Sequence, residues 1–123
     1  MNWWLKMPYL SQLDAFLRAS LMHSADAMRD TQMRFIRARQ TEDGGFAGRQ
    51  GSSDPYYTDF ALRVTNLLAP GSDVAAKAAT YLPTVDTPPD DVVAAFSLLN
   101  CRRMLDECGC SIEIDVESIM ATV

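Results

Sequence analysis

The sequence predicts an all-α protein built of antiparallel helix hairpins, with about five to six helices. Three observations carry this. Apolar residues recur at the i, i+3, i+4, i+7 spacing of one helix face in successive segments. Cap residues and Pro or Gly stops bound those segments. The segment from Asp54 to Leu68 also aligns with the segment from Asp90 to Met104 at an offset of 36, matching Phe60 to Phe96 and Leu62 to Leu98. A repeated helix–loop–helix unit cannot bury both of its faces alone, so such units stack.

The elements follow in order. Tyr9 to His23 reads as a helix with Leu10, Leu13, Phe16, Leu17 and Leu21 toward the core and Asp14 and Arg18 on the opposite side. Ser24 caps a second helix that runs to about Arg39. Met28, Phe35 and Ile36 fall on its buried side, and Arg29, Arg34, Arg37 and Arg39 crowd its second half, where cations offset the helix dipole. A loop follows with four glycines in eight residues, Gly44 to Gly51, and one apolar anchor, Phe46. Ser53 or Asp54 caps a third helix with Pro55 at its first position and an apolar stripe of Phe60, Ala61, Val64, Leu67 and Leu68. Pro70-Gly71 ends it. A fourth, Ala-rich helix spans Val74 to Leu82 and stops at Pro83, where a stiff extended linker runs to Pro89. Asp90 caps a fifth helix whose buried side carries Val92, Val93, Phe96, Leu99 and Leu105, with Gly109 as its stop. The tail Ser111 to Val116 alternates like a strand but has no partner strand, and a short helix is expected after Asp115. The whole chain, 1–123, reads as a single domain with repeat units of about 25–69 and 73–108.

Composition excludes some function classes. The net charge is −5, whereas a general nucleic-acid binder needs a basic field. Met1 to Pro8 is apolar but too short and too interrupted for a membrane span or a signal peptide, so a cytoplasmic location is the default. The three cysteines, Cys101, Cys108 and Cys110, do not form a disulfide framework and suit a reducing compartment.

The most specific stretch lies between Gln40 and Leu62. Gln40, Asp43-Gly44-Gly45-Phe46-Ala47-Gly48-Arg49, Asp54, Tyr56-Tyr57-Thr58 and Ala61-Leu62 together resemble one repeat of the protein prenyltransferase β subunits and the related terpenoid cyclases. The resemblance covers the first unit well and the second weakly. It implies an α/α toroid, of which this chain would form a part, with inner helices lining an aromatic funnel. It also implies binding of an isoprenoid diphosphate and transfer to a protein cysteine activated by zinc. Carried over by residue, Arg49 and Tyr57 match positions that bind diphosphate, and Tyr56 and Phe60 stand with Tyr57 on the aromatic wall. Asp54 matches a zinc ligand. In place of the Cys and His that complete the family's zinc site stand Tyr56 and Tyr57, and a phenol with a pKa near 10 is a poor zinc ligand. No intact metal site is therefore expected, with Asp54 a ligand only if zinc is bound, and no catalytic residue is assigned. A toroid closes with several helix pairs, and this chain supplies about two and a half, as expected of a truncated relative, a piece of one, or a unit that completes itself with a protein partner or as a homo-oligomer.

Plainer readings stand beside these. Tyr56, Tyr57 and Phe60 at helical spacing more often form core than a ligand wall. Arg49 reads equally as a solvated loop residue. His23 reads as a helix-end dipole partner, and Cys108-Gly109-Cys110 as helix-end packing rather than a metal pair. A non-catalytic helical-repeat module remains the alternative to a prenyltransferase-like protein.

Overall fold

The computed structural model describes residues 8–21, 26–86, 90–115, 117 and 119. They form five α-helices: α1 (Pro8–Leu21), α2 (Asp26–Arg39), α3 (Pro55–Leu68), α4 (Asp73–Tyr81) and α5 (Val92–Glu107). A 3-10 turn, Leu82–Thr84, follows α4. No strand occurs among the described residues. The all-α expectation is met. His23, Ser24 and the end of the Pro83–Pro89 linker lie outside the described residues.

Local chemistry sets most helix ends. The Asp54 carboxylate accepts the Tyr56 N–H at 2.7 Å, and Pro55 occupies the first turn, where its missing N–H is no loss. Arg37 and Arg39 lie in the last turn of α2. Both are exposed, as the charge pattern suggests, and each has a surface partner: Arg37 donates to Asp73 in the first turn of α4 at 3.0 Å, and the Arg39 guanidinium stacks 4.9 Å from the Phe35 ring centre. The cap of α5 is Asp91, which accepts the Ala94 N–H at 2.9 Å, and not Asp90. Pro83 does not end α4 in an extended segment. It sits within the 3-10 turn, whose φ it suits, and Thr84 donates its hydroxyl to the Tyr81 carbonyl at 2.6 Å.

α3 is the centre of the molecule. It shares its largest helix contact with α5 and also touches α1, α2 and α4. Asp59 on α3 accepts from Asn100 on α5, and Asn66 on α3 donates to the Met104 carbonyl further along α5. Both partners advance in the same direction, so α3 and α5 run parallel. The loop before α3 meets the last turn of α4, and Gly71 before α4 meets Cys108 at the end of α5. α4 is therefore antiparallel to both. One apolar cluster joins Leu62, Ala75, Ala78, Leu82, Leu98 and Leu105, and a second joins Met33, Phe46, Ala61 and Val74. Among the described residues the tail has no strand partner. Ile112 and Ile114 pack against the first cluster, and the Ile119 N–H donates to the Asp115 carbonyl, closing a helical turn where one is expected.

The helix faces depart from the apolar stripes read in the sequence. Leu13, Phe16 and Leu17 of α1 are exposed while Asp14 is buried. Met28 and Phe35 of α2, Phe60 and Val64 of α3, and Val92, Val93 and Phe96 of α5 are exposed too. The buried positions are smaller: Thr58, Ala61 and Thr65 on α3, and Ala94, Ala95 and Ser97 on α5. These small residues share the seams between α3, α4 and α5 with Leu62, Leu98, Met104 and Leu105, while the phenylalanines Phe60 and Phe96 turn outward.

Candidate functional site

The glycine-rich loop is built from the inside out. Gln40 pairs with Phe46 across an antiparallel bridge, and its side-chain amide donates to the Gly44 carbonyl at 2.8 Å and to the Val74 carbonyl at 3.1 Å. The loop is thereby tied to α4. Asp43 is its hub, with one carboxylate oxygen accepting from the Gly45 N–H, the Thr41 hydroxyl and the Ser53 hydroxyl at 2.9, 2.5 and 2.7 Å. Those bonds, the Ser53 hydroxyl first, hold the Asp43 carboxyl below the ordinary carboxylate range. Gly44 adopts φ +95°, and a Cβ there would stand 2.0 Å from the Lys77 carbonyl oxygen, so only glycine fits. Phe46 is buried as expected. Its N–H donates to the Thr58 hydroxyl at 3.0 Å and its carbonyl accepts from the Asp54 N–H at 2.9 Å. The Asp-Gly-Gly-Phe motif thus serves as the joint that fixes the start of α3 against α4.

The far side of the loop is open. Arg49, Gln50, Gly51 and Ser52 are exposed, and Arg49 makes no hydrogen bond or ion pair among the described residues. Tyr57 reaches back to this tip: a Cβ on Gly48 would stand 2.8 Å from its ring and 2.9 Å from its hydroxyl oxygen. Arg49 and the Tyr57 phenol are thus brought together through Gly48, the residue before Arg49. Tyr56 stacks edge-on against both neighbours, 5.3 Å from Tyr57 and 5.0 Å from Phe60 between ring centres. The core reading of this stripe is overturned. Tyr56, Tyr57 and Phe60 are 42%, 45% and 54% exposed, because α3 buries its other face, Thr58, Ala61, Leu62 and Thr65.

The second unit continues the same face, which stripe-reading alone misses. Val92, Val93 and Phe96, at the offset of 36 from Tyr56, Tyr57 and Phe60, are 42%, 58% and 52% exposed. α3 and α5 run parallel, so both units turn an apolar set outward at equivalent positions. The signal was present in the match of Phe60 to Phe96. A polar cluster was also missed: Arg103, buried, donates to Asp14 at 3.2 Å, to Glu107 at 3.1 Å and to Asn100 at 2.9 Å. Beside it, burial pushes the Asp59 carboxyl above its ordinary value, against the hydrogen bond from Asn100 and the charges of Arg63 and Arg103.

The zinc implied by the resemblance does not fit these residues. The Asp54 carboxylate is committed to the cap of α3, and Tyr56 and Tyr57 stand where a thiolate and an imidazole would be needed. Among the described residues no three His, Cys, Asp or Glu side chains gather at metal-binding distance. Cys101 is fully buried on α5, where desolvation pushes its thiol well up and leaves it unreactive. Cys108 donates to the Leu105 carbonyl, and both Cys108 and Cys110 pack against the core, in keeping with the helix-end reading. Burial, with Asp43 and Asp54 nearby, pushes the Tyr81 phenol to about 12, so it stays neutral beneath the loop. No described helix is long and apolar enough to cross a membrane. No family model, curated protein or solved structure matches the chain.

Proposed function

We propose that the chain binds an amphipathic anionic ligand of the isoprenoid-diphosphate type across the exposed face of α3 and α5. The diphosphate end meets Arg49 and the Tyr57 hydroxyl, and the apolar chain lies along Tyr56, Phe60 and Phe96. The observation that carries this reading is that the exposed Arg49 follows Gly48, against which the Tyr57 ring and hydroxyl lie at one end of an aromatic face. Guanidinium groups hold phosphate oxygens in charge-assisted, often bidentate bonds. Loop backbone and a tyrosine hydroxyl add donors without adding negative charge. Transfer to a cysteine thiol is not part of the proposal, since the donor set does not fit the zinc that such transfer uses. Titration with a fluorescent isoprenoid diphosphate tests it. Saturable binding that Arg49→Ala weakens about tenfold supports the site, a size suited to one charge-assisted contact. Absence of saturation, or binding indifferent to Arg49→Ala, refutes it.

A second reading is a non-catalytic helical-repeat module. It is favoured by the repetition of exposed apolar positions on two parallel helices, a surface that also suits an amphipathic helix of a partner protein. Binding of a helical peptide that inorganic diphosphate leaves undisturbed would favour it.

A further inference from the structure

α1 is turned inside out relative to an ordinary surface helix. Its two charged residues face the protein: Asp14 pairs with Arg103 at 3.2 Å, and Arg18 donates to the Asn66 carbonyl at 2.9 Å. Ser11 adds a bond to Glu107. The outward side carries Tyr9, Leu13, Phe16 and Leu17, which are 73%, 40%, 69% and 36% exposed. Every other exposed position from Tyr9 to Leu21 is Gln, Ala or Ser. A surface helix normally does the reverse, with apolar residues inward and charges outward. We propose that this outward face of α1 is a self-association surface, on which α1 of a second copy packs antiparallel.

Three properties point to a second copy. The first is charge. The chain carries −5 overall, so two copies repel except where charge is absent, and α1 offers a full helix length without any. An uncharged apolar strip is also complementary to itself, as a two-fold interface requires. The second is spacing. Tyr9, Leu13 and Phe16 follow the 4–3 rhythm of helix-on-helix seams, with Leu17 beside them. An antiparallel pair would also set each helix N-terminus against the other's C-terminus, which the helix dipoles favour. The third is extent. The strip runs over about two turns of α1, and its two aromatic side chains, Tyr9 and Phe16, are 73% and 69% exposed. An anionic membrane is the poorer occupant, because interfacial helices flank their apolar face with several Lys and Arg, and the one basic residue of α1, Arg18, is turned to the Asn66 carbonyl. α1 packs against the C-terminal halves of α3 and α5, at Asn66, Arg103 and Glu107, so the surface differs from the aromatic face and does not rest on the ligand reading.

Sedimentation velocity of the full chain over a range of concentrations tests the proposal. The expected result is a concentration-dependent dimer whose dissociation constant rises at least about tenfold in Phe16→Asp and in Leu13→Glu, as for central apolar anchors. Far-UV circular dichroism should be unchanged in both, since neither side chain supports the fold. Phe60→Asp, on the other face, should leave the dimer intact. A monomer at every concentration overturns the proposal, as does a dimer that survives both α1 variants and dissociates with Phe60→Asp. A monomer that co-floats with phosphatidylcholine vesicles through α1 overturns it as well and assigns the face to lipid.

Discussion

α3 and α5 meet the same packing problem with different side chains. Positions 58, 61, 62 and 65 of α3 and their counterparts 94, 97, 98 and 101 of α5 are all buried, while 56, 57 and 60 share exposure with 92, 93 and 96. Inside that common frame the chemistry differs. α3 buries two hydroxyls, Thr58 and Thr65, where α5 has Ala94 and Cys101. Thr58 has a task that Ala94 lacks: it accepts the Phe46 N–H and donates to the Asp54 carbonyl, so it fastens the glycine-rich loop to the helix. α5 is entered from a Pro-rich link and has no such loop to hold. On the outer side α3 carries two tyrosines and α5 two valines. The helical frame is shared, and what distinguishes the two units is the loop and the side chains that serve it.

This comparison can be broken or sharpened by measurement. The largest effects are expected at Leu62 and Leu98, which are both fully buried at equivalent positions. Leu62→Ala and Leu98→Ala should each cost about 2–4 kcal/mol in urea denaturation and should lie close to each other. If one proves nearly silent, the two helices are not equivalent in packing. Next comes Thr58→Ala, which makes α3 resemble α5 at that position. It strands the buried Phe46 N–H and should cost about 1–2 kcal/mol, with Thr58→Ser recovering most of the loss. An Ala variant as stable as the parent would mean that the hydroxyl does not hold the loop.

The smallest effect concerns Asp59, whose counterpart on α5 is Ala95. Burial raises the Asp59 pKa in the fold above the ordinary 3.8. Its contribution to stability is therefore fully present below that value and is lost as pH rises through the folded value. Asp43 has the opposite sign. Its lowered carboxyl contributes above 3.8 and loses that contribution as pH falls through its folded value. Asp59→Asn removes a buried charge while keeping an acceptor for Asn100. The variant should gain on the parent as pH rises from below 3.8 to neutrality, with a change at pH 7 within about 1 kcal/mol. A variant that falls behind the parent over that range would show that Arg63 and Arg103 outweigh desolvation.

How much of this was legible in the sequence depends on which physical rule governed each feature. Helix boundaries rest on local chemistry and could be read: Asp54 with Pro55, the stop at Pro70-Gly71, the end at Gly109. Phe46 could be read as an anchor because it is the one large apolar residue in a polar loop. The faces could not. An apolar stripe marks a buried face only when bulk and burial coincide, and in α3 and α5 Thr58, Ala61, Ala94 and Ser97 are buried beside Leu62 and Leu98 while Phe60 and Phe96 turn outward. α1 misled most strongly, since its inward contacts are an ion pair and hydrogen bonds from residues a hydropathy pattern assigns to solvent. Asp90 and Asp91 differ by one residue, and only the start of α5 decides which of them caps it. At the candidate site, Arg49, Tyr56, Tyr57 and Phe60 were singled out from the motif, whereas Val92, Val93 and Phe96 needed the parallel arrangement of α3 and α5.

The attachment of α1 has a consequence for motion. The helix is fastened by Ser11, Asp14 and Arg18, three polar grips with little apolar burial beneath them. Segments held this way open at a free energy well below that of global unfolding. α1 is then expected to exchange its amide hydrogens faster than α3, α4 and α5. Lifting it would break the Arg103–Asp14 pair and let water reach the guanidinium, which keeps its α5 partners Glu107 and Asn100.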